Sequence, residues 1–236
     1  MKCSHSVNIS CGDCRLSSIC LPLGLTPTQM TQVDDLITHR PLLQKQSYLY
    51  HANDAFQCLY VVRAGCVKTV MTSESGEERI TGFYLPGDIV GIEGISDQRH
   101  HGAAITLDTT SVCKIPFDQI ESLAAQVSDL QRHMFSIMSR EVVTDQHAMM
   151  IMNKKKADAR VAAFLLSLSG RFQRQNFSPT RWSLPMSRGD IGNYLGLTIE
   201  TVSRVFTKLQ KNEVISINKR ELQIEQADHL QHIADL

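Results

Sequence analysis

Three hydrophobic patterns succeed one another along the 236-residue chain. Between about residues 42 and 115, apolar residues come in short runs broken by Gly, Asp and Asn. Residues 47–50, 59–62, 66–71, 79–85, 89–90, 103–107 and 111–115 read as strands, with turns at Ala64-Gly65 and Pro86-Gly87-Asp88. Ser73-Glu-Ser-Gly76-Glu-Glu reads as a polar hairpin loop. Short strands about ten residues apart predict an antiparallel jelly-roll barrel or sandwich. Ahead of them, Thr26-Pro27 opens a helical pattern that carries Met30, Val33, Leu36 and Ile37 on one face and ends at Pro41.

After the strands the period lengthens. Leu130, Met134, Ile137, Met138, Val142, Asp145, Met149 and Met152 recur at three- and four-residue steps. A helix over 129–153 would span roughly 37 Å at about 1.5 Å per residue. Its apolar seam is narrow, which suits pairing with one partner helix, here a second copy of the chain. Asp145 interrupts the seam. Facing its symmetry mate, a carboxylate would repel it, making the dimer conditional; turned slightly off the seam, it would simply be solvated.

The third pattern is a pair of short helices. Asn153-Lys-Lys-Lys156 reads as a hinge, a helix begins at Asp158, and residues 175–179 form a loop. Ser187-Arg-Gly-Asp190 has the spacing of a capping box, with Ile191, Tyr194 and Leu195 facing inward. Gly196 suits a left-handed helix end, and Thr198 can cap the next helix over 199–210. Two short helices joined by such a turn predict a helix-turn-helix. Residues 214–217 and 222–224, with Asn218-Lys219-Arg220 between them, predict a β-hairpin wing with a basic tip.

The architecture is therefore α+β: an antiparallel β-roll, a long dimerisation helix and a winged helix-turn-helix. The expected domains are a cysteine-rich tail over 1–25, a roll over 26–128, the long helix and hinge over 129–156, and a DNA-binding domain over 157–236. No run of eighteen apolar residues is present, so no membrane-spanning helix is expected. The first ten residues lack an apolar core, so no signal peptide is expected, and the expected compartment is cytoplasmic.

Net charge is zero, but residues 154–220 hold thirteen Lys and Arg against four Asp and Glu, leaving the remainder at −9. A basic C-terminal half fits double-stranded DNA. On the second helix, Glu200, Ser203 and Arg204 share one face outside the apolar set. Arg can bond guanine bidentately and Glu can accept from a cytosine amino group. The bland alternative is a surface pair of Glu200 and Arg204 worth a few tenths of a kcal/mol.

Seven cysteines include Cys11, Cys14 and Cys20 within ten residues, and Cys113 lies 93 residues further on. Thiolates are soft ligands, and four would complete the shell of an iron–sulfur cluster or a structural zinc. Cys58 and Cys66 fall in strands and read as small buried hydrophobes, while Cys3 lies outside the ligand spacing. His100-His101 reads as a polar loop; a cupin-like enzyme would need a fuller His and carboxylate set in the roll.

The stretch Gly-Asp-Ile-Gly-Asn-Tyr-Leu-Gly-Leu-Thr-Ile-Glu-Thr-Val-Ser-Arg (189–204) resembles the recognition segment of the CRP/FNR superfamily of bacterial transcription regulators. The Cys-x2-Cys-x5-Cys tail, with Cys113 in Val-Cys-Lys-Ile-Pro-Phe, is similar to its oxygen-responsive branch, and Ile-Thr-Gly-Phe-Tyr-Leu-Pro-Gly-Asp (80–88) fits the sensor roll. The resemblance implies a 4Fe–4S cluster on Cys11, Cys14, Cys20 and Cys113. It implies a homodimer in the absence of oxygen, binding a palindrome of TTGAT-like half-sites through Glu200, Ser203 and Arg204. Oxygen would convert the cluster toward 2Fe–2S and weaken the dimer. Asp145 matches the carboxylate that keeps the cluster-free protein monomeric. The loop over 72–77, with Ser73 and Gly76, corresponds to a surface that contacts RNA polymerase. Cyclic-AMP-binding members hold the phosphate with an Arg-Ser pair; no Arg-Ser dipeptide occurs here, so no cyclic nucleotide is expected.

Overall fold

The computed structural model describes residues 10–17, 19–20, 24–39 and 41–235. The chain divides into two compact units, Met1–Glu141 and Val142–Leu236. The first opens with helix α1 (Pro27–Leu36), which Thr26 caps: Thr26 Oγ1 accepts the Gln29 N–H, and the Gln29 side chain accepts the Thr26 N–H. The helix stops at Ile37, short of Pro41, because the chain turns extended to form β1 (Thr38–His39).

Seven more strands follow: β2 (Tyr48–Tyr50), β3 (Cys58–Ala64), β4 (Val67–Thr72), β5 (Glu78–Tyr84), β6 (Ile89–Val90), β7 (Ala103–Thr106) and β8 (Ser111–Pro116). They make two antiparallel four-stranded sheets, in the orders β1-β8-β3-β6 and β2-β7-β4-β5. Successive side chains of a strand point to opposite faces. On β3, Cys58, Tyr60 and Val62 therefore enter the core between the sheets, while Leu59 and Val61 enter a second core shared with helices. Being buried on both faces, β3 reads in the sequence as an unbroken apolar run. Cys113 and Ile115 of β8 join the second core, so Cys113 points away from the roll interior.

The turns use their glycines. Gly65 has φ +86°, and a Cβ there would lie 2.6 Å from the Thr109 carbonyl oxygen. Gly87 is also left-handed, and Asp88 Oδ2 closes that turn by accepting the Leu85 N–H at 2.7 Å.

Beyond β8 come α2 (Phe117–Ala124) and α3 (Ser128–Met152). The predicted seam of α3 divides in two. Leu130 is buried in the second core, with Met134 and Ile137 packed against it. Val142, Asp145, Met149 and Met152 are exposed, alongside Phe135 at 62% and Met150 at 68%.

The second unit contains α4 (Ala157–Arg174), β9 (Arg181–Ser183), α5 (Arg188–Leu195), α6 (Ile199–Lys211), the wing strands β10 (Ile215–Asn218) and β11 (Glu221–Ile224), and α7 (Ala227–Ala234). Sequence periodicity left β9 unmarked, yet it pairs with β11 and widens the wing to three strands. The core gathers Phe164 and Leu165 of α4, Ile191 and Leu195 of α5, and Val202, Val205 and Phe206 of α6, all essentially buried. The fold is thus α+β, a β-roll followed by helices and a winged helix-turn-helix. No helix among the described residues is long and apolar enough to cross a membrane.

Candidate metal centre and DNA-reading helix

The cysteine loop is wound into tight turns. The Cys14 N–H reaches the Cys11 carbonyl at 3.3 Å, Ser17 N–H reaches Cys14 at 3.0 Å, and Cys20 N–H reaches Leu16 at 2.9 Å. The loop is fastened to α1 by the Cys11 N–H, which donates to Asp34 Oδ1 at 2.9 Å. On its other side, His133 of α3 places Nε2 3.0 Å from the Cys20 carbonyl oxygen.

This winding brings Cys11, Cys14 and Cys20 to the walls of one recess whose far wall is Cys113. Ile37, Val61 and Ile115 supply apolar wall, and Arg63 is the cation of the lining. Cys11 and Cys113 are buried, and Cys14 and Cys20 are half-buried. Burial pushes the Cys113 thiol up to about 11; Arg63 pulls it down, and Cys14 and Asp34 add to the rise. Burial raises Cys11 further, helped by the hydrogen bond and charge of Asp34 and then by Cys20 and Cys113. Burial lowers His133, against its bond to the Cys20 carbonyl, with Arg140 adding to the fall.

Four thiols around an apolar recess fit the donor set of an iron–sulfur cluster. Among the described residues, no three His, Cys, Asp or Glu side chains converge on a point that would hold a single ion. Cys58 and Cys66 are buried apart from this recess, as small hydrophobes. Cys3 lies outside the described residues.

The histidine pair lies in the loop before β7 as expected, but only His101 is polar-facing. His100 is 3% exposed, bonds Glu93 Oε1 through Nδ1 at 3.0 Å, and stacks on Tyr50 with ring centroids 3.5 Å apart. His101 is exposed and pairs with Asp97 at 2.9 Å. Adjacent extended residues face opposite ways, so one ring enters the roll and the other meets solvent.

The helix-turn-helix is held by close backbone packing. Ser187 Oγ accepts the Asp190 N–H at 3.0 Å, and Asp190 Oδ2 accepts the Ser187 N–H at 2.9 Å. Gly196 ends α5 at φ 65°, and the Leu197 N–H returns to the Gly192 carbonyl at 2.8 Å. A Cβ at Gly192 would stand 2.6 Å from the Leu197 carbonyl oxygen, so the turn can close only over glycine. Thr198 caps α6 by accepting the Thr201 N–H at 3.2 Å. The Arg188 guanidinium lies 3.5 Å from the Phe206 ring centroid, pinning the start of α5 to α6.

On the opposite face of α6, Glu200 and Arg204 are exposed and Ser203 is half-exposed. Lys208, one turn on, pairs with Asp158 of α4 at 2.5 Å. Asp145 stands exposed on α3, and partial desolvation raises its carboxyl above the usual value. The Ser73–Gly76 turn is exposed; Ser73 Oγ accepts the Glu77 N–H at 3.1 Å and Gly76 has φ 82°.

A β-roll, a long helix with an exposed apolar stretch and a winged helix-turn-helix are the parts of a transcription regulator. Residues 42–127 match the family model of the cyclic nucleotide-binding domain, and residues 184–215 match that of bacterial regulatory proteins of the crp family. The chain is 46% identical over 214 residues to the transcriptional activator protein Anr of Pseudomonas protegens, covering 91% of this chain and 88% of Anr. It is 40% identical over 226 residues to the fumarate and nitrate reduction regulatory protein of Yersinia pestis, covering 96% and 90%. Among solved structures, FixK2 from Bradyrhizobium japonicum superposes with a TM-score of 0.75 at 29% identity, over 84% of this chain and 96% of FixK2. The chain belongs to the CRP/FNR family of bacterial transcription regulators; it is not an enzyme.

Proposed function

We propose that this regulator is controlled by oxygen through a 4Fe–4S cluster held by Cys11, Cys14, Cys20 and Cys113. The observation that carries the reading is that the three thiols of the N-terminal loop and Cys113, 93 residues beyond the last of them, border a single recess. When bound, such a cluster supplies an oxygen-labile redox centre on four thiolates. The residues do the rest. Cys113 on β8 and the three loop cysteines fix the N-terminal segment against the core that α3 packs on. The exposed stretch of α3 then pairs with a second copy, opposed by Asp145. Pairing sets two α6 helices about one turn of DNA apart, roughly 34 Å. Glu200, Ser203 and Arg204 read TTGAT-like half-sites. The Ser73–Gly76 turn, lying on the exposed β4–β5 hairpin, serves as a contact for RNA polymerase.

Nothing in this mechanism uses a cyclic nucleotide. In the roll, His100 and Tyr50 stack on each other, and the chain lacks the Arg-Ser pair that holds the phosphate in cyclic-AMP-binding members. The setting is the cytoplasm, where promoters and a reducing thiol pool coexist.

The test is the visible absorption spectrum of anaerobically purified protein before and after air, with iron and sulfide assays. The expected result is a broad shoulder that changes in air, with about four irons and four sulfides per chain. Colourless protein with about one zinc per chain, unchanged by air, would replace the oxygen sensor with a structural zinc site on the same thiols.

A further inference from the structure

Cys20 is held at both ends. Its sulfur lines the recess, and its backbone carbonyl meets the long helix through His133. His133 is only 9% exposed, and Leu130, Met134 and Ile137, within one turn of it, pack in the sensor core. The Cys20 N–H is already committed to the Leu16 carbonyl, which ties Cys20 back to the loop.

We propose that His133 is the positioning residue that passes the state of the cysteine site to α3, its Nε2–H holding the Cys20 carbonyl while the four thiols are engaged. This inference rests on the cluster reading above and names the contact that transmits it.

The physical reason lies in how contacts fail with distance. Apolar packing around Leu130 tolerates a small slide. A hydrogen bond weakens steeply once donor and acceptor separate much beyond about 3.2 Å or lose their alignment. When the Cys20 sulfur loses its anchor, a shift of the loop by about an ångström removes this bond and leaves a buried imidazole and a carbonyl without their partner. Such unmade buried bonds are costly, so the first turns of α3 resettle. The exposed stretch beyond Val142 belongs to the same helix and inherits the change. Only a difference in free energy between the two seatings can shift the pairing equilibrium, and this bond supplies one.

The experiment compares full-length wild type, His133→Gln and His133→Met, prepared anaerobically. Glutamine keeps an N–H donor near the imidazole Nε2 position; methionine is similarly flexible but has none. Iron, sulfide and absorption establish loading. Sedimentation then gives the dimer dissociation constant with the cluster and after its removal by air. The expected result is that all three load, that wild type and His133→Gln dimerise at least tenfold more tightly when loaded, and that His133→Met loses most of this difference. Equal coupling in His133→Met overturns the inference, as does equal loss in both variants. A wild type without cluster, or one whose dimerisation ignores it, overturns the proposed function and the inference with it. A second measurement needs no variant. Amide exchange over residues 130–137 of wild type should quicken on cluster removal, and unchanged exchange there overturns the inference even if His133→Met does not fold.

Discussion

Asp34 of α1 accepts the backbone N–H of Cys11 at 2.9 Å, and the same carboxylate lies beside the Cys11 thiol. One side chain thus orders the loop and sets a negative charge against a sulfur that must ionise to bind metal. The first effect favours the loaded state and the second opposes it. Asp34→Asn keeps an acceptor for the amide and removes the charge. The expected outcome is a severalfold longer cluster lifetime in air, read from the decay of visible absorbance. A shorter lifetime would mean that the Asp34 charge itself supports the loaded site.

Asp145 lies among exposed apolar residues of α3, and partial desolvation already raises its carboxyl. Desolvation disfavours the charged form there, so pairing should strengthen as pH falls through the range of that raised carboxyl. Asp145→Ala removes the charge at all pH values. It should tighten the cluster-free dimer at least tenfold, about 1.4 kcal/mol. Sedimentation in air checks this, and a purely monomeric Asp145→Ala protein would remove the carboxylate from the switch.

Arg204 extends from the exposed face of α6, beyond the capped first turn. Arg204→Ala should cost about 1–3 kcal/mol of binding and relax discrimination at one position of each half-site. Binding measured on a panel of single-base variants separates this from a phosphate contact, whose loss weakens all sequences alike.

Gly192 offers a test of the turn itself. Gly→Ala inside a helix ordinarily stabilises by about 0.5–1 kcal/mol. Here the added Cβ would meet the Leu197 carbonyl oxygen at 2.6 Å, so the sign should reverse. Gly192→Ala should destabilise by about 1–3 kcal/mol, seen as a lower melting temperature with DNA binding reduced in step.

The strands were legible because alternation or continuous burial shows directly in residue type, as on β3. The three helix starts with polar caps, Thr26, Ser187 and Thr198, were legible for the same reason. The start of α2 was not: β8 runs straight into it, and Pro116, its first flanking residue, offers no side-chain cap. The wing's third strand was hidden because Trp182 is its one apolar residue, and its pairing with Leu222 is a tertiary fact. The seam of α3 was read as a single stripe, but periodicity cannot say which neighbour each turn meets. Leu130 meets its own roll, while Met149 faces outward. The sequence grouped Cys11, Cys14 and Cys20 and offered Cys113 as a fourth candidate thiol, but that all four border one recess depends on β8 presenting Cys113 on its outer face. His133 gave no sequence signal, because its partner is a backbone carbonyl 113 residues away.

The Lys208–Asp158 pair joins α6 to α4 through two charges that already neutralise each other. A cation in that condition brings few condensed ions off the duplex when it meets a phosphate, because its own countercharge must first be dislodged. DNA binding should therefore show a shallower dependence on salt than the basic residues of α6 would indicate when tallied one by one, by up to about 0.9 in the logarithmic slope for this lysine. The ion pair makes promoter occupancy less sensitive to the ionic strength around it.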